Sequence, residues 1–192
     1  MEALGGVLSA FGLSASAGLN AYVPLLIVAL MGRFTNWIEL GETWEPLTSW
    51  WVIGALVILG LVEFFADKVP AVNHINDIVQ TFIRPTAGAV LFAASTDVVT
   101  NIHPVVALIA GLIISGGVHA AKSAALRPAV TATTGGAGNI PVSIAEDVVA
   151  TILSILAVII PVLVAAIIIL ITAWIIWLLW RRSNRMRDAE WD

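Results

Sequence analysis

From Val148 to Trp180 the chain runs for 33 residues without a charged side chain. As one helix that run would be about 50 Å long, against a bilayer hydrocarbon core of about 30 Å. Pro161 stands near its middle, and a proline inside a helix removes a donor and crowds the preceding turn. The run is therefore predicted to be two spanning helices joined by a tight turn at Ile160-Pro161. No soluble core could absorb it, and the rest of the chain offers little cover. Charged residues make up 11% of the sequence and hydrophobic ones 59%, where a soluble domain has about 25% charged. The expected fold is an all-α integral membrane protein, a single domain over residues 1–180 with about six transmembrane helices, followed by a basic cytoplasmic tail at 181–192.

Other candidate spans follow the same logic. The first covers about Leu4 to Met31, interrupted by Gly12, Gly18 and Pro24. It lacks the basic start of a cleaved signal peptide and reads as a retained helix. The second runs from Trp50 to about Ala66 and is stopped by Pro70. Residues 71–83 read as a short surface helix, capped by Asn73 or Asn76, before a third span beginning at Arg84-Pro85. That third span is short, with an uncharged stretch only from Pro85 to Thr96. The fourth starts at His103-Pro104 and runs to about Ala121. A Thr/Gly-rich loop from Leu126 to Pro141 precedes the fifth, which Ser143-Ile-Ala-Glu146 opens with the spacing of a capping box.

Charge bias orients this arrangement. With six spans and both termini cytoplasmic, one side holds Lys68, Arg84, Lys122, Arg127, Arg181, Arg182, Arg185 and Arg187, and the other holds Arg33 alone. That is the positive-inside pattern. Trp37, Trp44, Trp50 and Trp51 mark the outer interface, and Trp177 and Trp180 the inner one. A two-fold internal repeat is suggested by Ser16-Ala-Gly18-Leu-Asn20-Ala in the first span and Ser115-Gly-Gly117-Val-His119-Ala in the fourth. Three spans per unit make that repeat inverted, as in many transporters. A competing echo between the segments starting at His103 and Ile160 relates two hairpins in parallel.

The charged residues gather at the inner ends of the spans: Glu63, Asp67, Asp77, Glu146 and Asp147 with Lys68, Arg84, Lys122 and Arg127, and His74 and His119 nearby. Glu63 and Asp67 are four apart and share a helix face. Glu63, one turn inside its helix, is either an ion or proton site or half of a structural ion pair, since an ionisable group there is expensive unless paired or wet. Asn20 and His119 occupy matching points of two Gly/Ser-rich segments. They either open backbone to a substrate or bond across closely packed helices, the plainer explanation for small residues in a membrane. With the first span running outward and the fourth inward, Asn20 is expected in the outer half and His119 in the inner. The polar core candidates are Asn20, Glu63, Asp67, Lys68, Arg84, His119, Lys122, Glu146 and Asp147. The chain has no cysteine, so thiolate chemistry is excluded. Neither a short metal motif nor a P-loop lysine after Thr134-Gly-Gly-Ala-Gly138 is present, and no cofactor, catalytic residue or metal is expected.

Glu63-Phe-Phe-Ala-Asp67-Lys68-Val-Pro70, with Asp77 and Arg84-Pro85 behind it, resembles the signature of an uncharacterised bacterial membrane family filed as domain of unknown function 4126. Asn20-Ala-Tyr-Val-Pro24, His119-Ala-Ala-Lys122 and Ser143-Ile-Ala-Glu146-Asp147 are similar to it in the same order. The resemblance implies a small multi-pass protein of the bacterial inner membrane and supplies no activity. A weaker likeness links Gly18-Leu-Asn20-Ala-Tyr22 to a short motif of nucleobase permeases.

The expected function is that of a transporter or channel-like permeability protein for an unidentified small molecule or ion. Broken Gly/Pro-rich helices and polar residues inside the bundle support it. Against it stand a structural or assembly protein of the membrane and, less favoured, a lipid-modifying enzyme, for which no catalytic elbow is present. Membrane lipid is the expected partner, nucleic acid is not, and at 20.3 kDa a homo-oligomer is the expected way to enclose a pathway.

Overall fold

A computed structural model of the chain describes residues 2–68, 70–97, 102–161, 167, 169–177 and 180–181, without the side chains of 2, 70–75 and 77. Among the described residues every regular element is helical: α1 (Glu2–Leu19), α2 (Tyr22–Phe34), a 3-10 turn (Glu45–Thr48), α3 (Trp50–Ala66), α4 (Pro70–Thr96), α5 (Pro104–Ala121), a π-helical turn (Lys122–Leu126), α6 (Arg127–Thr134) and α7 (Asn139–Ile159). Three stretches, 78–96, 104–134 and 139–159, are long and apolar enough to cross a membrane, and α1, α2 and α3 are shorter apolar helices. The chain is an all-α membrane protein. The expected roles of Asn73, His74 and Asp77, and the tail beyond 181, lie outside the described residues.

Local chemistry sets the helix ends. Ser49 caps α3, accepting from the Val52 N–H at 3.4 Å. His103 caps α5 through the Val105 N–H at 3.3 Å, with Pro104 at the first helical position, where its missing N–H costs nothing. The long uncharged run is interrupted at the expected place: α7 ends at Ile159, and Ile160 leaves helical geometry at φ −136° and ψ 68°.

The first span is not one helix. Its chain breaks after Leu19, because the Asn20 side-chain oxygen takes the N–H groups of Tyr22 and Val23 at 3.1 and 3.0 Å, and Pro24 one residue on has no N–H to offer a continuing helix. The two pieces run in opposite directions. Leu19 lies beside Lys122 at the end of α5, while Ala10 packs with Phe92 and Ala107 in a cluster that Trp44 and Ile102 flank. Tyr22 faces Gly60, late in α3, whereas Arg33 stacks 4.4 Å from the Trp50 ring, at the start of α3. So α1 descends to the end of the bundle that carries Glu63, Arg84 and Lys122, and α2 returns. The start of α1 and the segment 35–48 therefore lie at the same end, not at opposite faces as a single span requires. Two further expectations change with it. Asn20 and His119 sit at one level rather than in opposite halves. The segments ending in Asn20 and His119 also run in the same direction, which removes the geometric basis for an inverted repeat.

Three other expectations are corrected. Residues 70–96 form one helix with Pro85 inside it. The stretch after Ala121 stays helical to Thr134, and the loop shrinks to residues 135–138, where Gly135 adopts φ +62° as only a glycine does cheaply. Ser143 and Glu146 are not a capping box, because α7 begins at Asn139 and both residues point into the bundle.

α1 is the central helix. It packs on α4, α5 and α7 through small residues: Gly18 abuts Ser115 and Val118, and Gly88 of α4 abuts Gly111 and Ser115 of α5. Such contacts hold helices together where lipid supplies no hydrophobic drive. Three buried hydroxyls bond across a helix boundary: Ser14 donates to the Gly88 carbonyl at 2.8 Å, Ser16 to that of Ala150 at 2.7 Å, and Ser115 to that of Arg84 at 2.7 Å.

Candidate functional site

Nine ionisable side chains from α3, α4, α5, α6, α7 and the turns that follow α3 and α5 converge at one end of the bundle. Arg84 lies fully buried on α4, and its Nη2 is 2.9 Å from Glu63 Oε1 and 3.9 Å from Asp67 Oδ2. Its Nη1 meets His119 Nδ1 at 3.2 Å. A guanidinium can only donate, so Nδ1 accepts, and Nε2 carries the proton toward Thr81 Oγ1 at 3.2 Å. His119 is thus a neutral imidazole that orients Arg84.

A second centre adjoins the first. Lys122 is 2.7 Å from Glu146 Oε2 and donates at 3.1 Å to the Leu19 carbonyl, which the break in α1 leaves open. Arg127 Nη2 bridges the two centres, 3.1 Å from Glu146 and 3.4 Å from Asp67. Asp67 is held further by Asn76 Nδ2 at 2.6 Å and by the Ser143 hydroxyl at 3.3 Å. At the rim, Lys68 Nζ is 3.5 Å from Asp147 Oδ2, and Asn20 Nδ2 donates to Asp147 Oδ1 at 2.9 Å.

The nine expected core residues are therefore all brought together, with four carboxylates facing four bases once Arg127 is added. Arg127 belonged with them from the outset, since Arg127-Pro128 repeats the Arg84-Pro85 pairing. Thr81 carries no such signal in the sequence, because a lone hydroxyl in an apolar stretch reads as packing, and Ser143 read as a helix cap rather than a partner of Asp67.

Among the described residues no three His, Asp or Glu side chains are placed to hold a metal ion, and His119 faces a guanidinium rather than a carboxylate. The set of groups can exchange partners. Asp67 is shared by Arg84 and Arg127, and Glu146 by Lys122 and Arg127. Glu63 Oε2, Gln80 Oε1, Arg84 Nε and Glu146 Oε1 are buried without a hydrogen-bond partner, so the network retains spare bonding capacity. Deeper in the bundle the buried hydroxyls of Ser14, Ser16, Ser115 and Ser154 continue along α1, α5 and α7.

A family model described as Domain of unknown function (DUF4126) matches residues 7–181. No curated protein and no solved structure matches the chain.

Proposed function

The chain belongs to that family of unknown function, and from this premise we propose that it is a small transporter or channel-like permeability protein of a cell membrane, closed at its charged end by exchangeable ion pairs. The observation that carries the reading is the shared pairing of Asp67 and Glu146. Buried ion pairs hold helices together less efficiently than apolar contacts of the same volume, and ionisable groups at membrane depth mark pathways. A helix movement that separates one base from Asp67 or Glu146 leaves the other base in place, so those carboxylates can change partners as the charged end opens.

The charged end is the cytoplasmic one in this reading, because it collects Lys68, Arg84, Lys122 and Arg127 while Arg33 lies at the other. The α1–α2 reversal then places both the start of α1 and residues 35–48 outside, with the charge bias unchanged. Reporter fusions ahead of Glu2 and near Gly41 are expected to give the same, non-cytoplasmic signal. Opposite signals at the two positions are incompatible with the reversal at Asn20.

The gate is tested in the native cysteine-free chain. Single cysteines at Ser16 and Ser154, beyond the charged cluster, are expected to react slowly with a membrane-impermeant maleimide applied from the charged side. Pairing either with Arg127→Gln, which unlinks the two centres, is expected to raise the rate at least about tenfold. If the rate stays flat while the protein remains folded, the cluster is a structural tie and the chain a non-transporting scaffold.

A further inference from the structure

Beside the charged cluster, and outside the gate, lies a lateral groove of about 460 Å³ between α2, α3 and α7. That volume falls within the range of about 300–1,000 Å³ typical of small-molecule sites. Its walls are aliphatic for most of their length, with Leu26, Leu56, Leu61, Val148 and Ile152 among them. From Phe64 back to Leu56 the groove follows α3 for about 12 Å at 1.5 Å per residue. Polarity is confined to one end, where Asn20, Thr151 and Asp147 line it. Lys68 stands at that end too, its Nζ 3.2 Å from the centre of the Phe64 ring that forms part of the wall.

We infer that this groove binds a phospholipid whose headgroup carries both an ammonium and a phosphate, with the ammonium on Asp147, the phosphate on Lys68 and an acyl chain along α3. Three observations support that occupant. The order of polarity, charged at the end of the bundle and apolar toward its middle, is the order of head and chain in one leaflet. The Lys68–Asp147 pair is loose at 3.5 Å, with each side chain 17% exposed, whereas charge-assisted bonds close to about 2.7–2.9 Å. Both charges therefore keep bonding capacity for a third party, and unlike the buried pairs behind them they are open to one arriving from outside the bundle. The mouth is also electrically neutral, one carboxylate and one ammonium. A purely anionic head meets Asp147 and a purely cationic one meets Lys68, while a zwitterionic head satisfies both. Asn20 holds Asp147 in place from the protein side at 2.9 Å, so the carboxylate is presented rather than free to swing away. The inference is independent of whether the bundle transports anything.

The test is lipid binding to the delipidated full-length protein in detergent, by native mass spectrometry, with phosphatidylethanolamine and phosphatidylglycerol of matched chains. Wild type is expected to favour phosphatidylethanolamine by at least about fivefold. Asp147→Asn is expected to lose at least about tenfold in phosphatidylethanolamine affinity while holding or gaining for phosphatidylglycerol. Because Asp147 also bonds Asn20, a second variant guards against a folding effect: Val57→Trp fills the groove from an exposed wall position and is expected to weaken both lipids with the thermal midpoint kept. Equal binding of the two lipids by wild type, or undiminished phosphatidylethanolamine binding by a folded Val57→Trp protein, overturns the inference.

Discussion

Replacing Arg84 by alanine is expected to lower stability by about 3–5 kcal/mol, the usual cost of removing one partner from a buried ion pair. Arg84 is fully buried and holds Glu63 at 2.9 Å, while the other Glu63 oxygen has no partner to fall back on. The substitution therefore strands a carboxylate that is 2% exposed, and His119 loses the donor that its Nδ1 accepts from. Asp67 is less affected, because Arg127, Asn76 and Ser143 also hold it. The double variant Arg84→Met with Glu63→Leu removes both charges together and is expected to recover most of the loss, as apolar replacements of buried pairs generally do. Unfolding titrations in mixed micelles, run as a double-mutant cycle, measure the coupling. A loss below about 1 kcal/mol for Arg84→Ala is what an exposed pair gives and contradicts the burial described here.

Gly111→Val is expected to cost about 3 kcal/mol, at the upper end of ordinary overpacking. A Cβ at position 111 collides with the Gly88 carbonyl and lies 2.7 Å from Phe92 Cβ and 2.8 Å from Ala89 Cα. Two of those three neighbours are α4 backbone, which cannot rotate aside, so α4 and α5 must move apart. Their separation also stretches the Ser115 bond to the Arg84 carbonyl and loosens the charged end. Gly117→Ala on the same helix is the control: nothing lies within 4 Å of its added methyl, and alanine is the better helix former by up to about 1 kcal/mol. Thermal midpoints that fall for position 111 and hold or rise for position 117 are expected. Similar losses at both positions point to helix propensity or insertion rather than the α4–α5 contact.

The charged cluster was legible in the sequence because ionisable groups in apolar segments have few ways to be satisfied. Glu63, Asp67, Arg84, Lys122 and Glu146 had to find one another or water. The helix count was less legible. The break at Asn20 depends on one carboxamide turning back onto two backbone N–H groups, and the same residue type facing a neighbouring helix produces an unbroken span. Proline was a reliable signal at one position and not at another: at Pro161 the helix does end, while at Pro85 it continues with α1 and α5 packed closely against α4. The Thr/Gly-rich stretch after Leu126 read as a loop because its composition is polar, but Arg127 ties it to Asp67 and Glu146, and that tie keeps α6 helical up to Gly135.

The charges of the cluster divide in a way that matters while the chain is being made. Glu63, Asp67, Lys68 and Arg84 are all translated before residue 97, and they sum to zero. Lys122, Arg127, Glu146 and Asp147 come later, and they sum to zero as well. The first half can thus enter the bilayer as a neutral unit, with Arg84 already matched to Glu63, and wait there without carrying a net charge into lipid. The second half arrives neutral in its turn. The bonds of Arg127 to Asp67 and of Lys68 to Asp147 then join the two halves, so Lys68 gains its carboxylate only once the second half is in place.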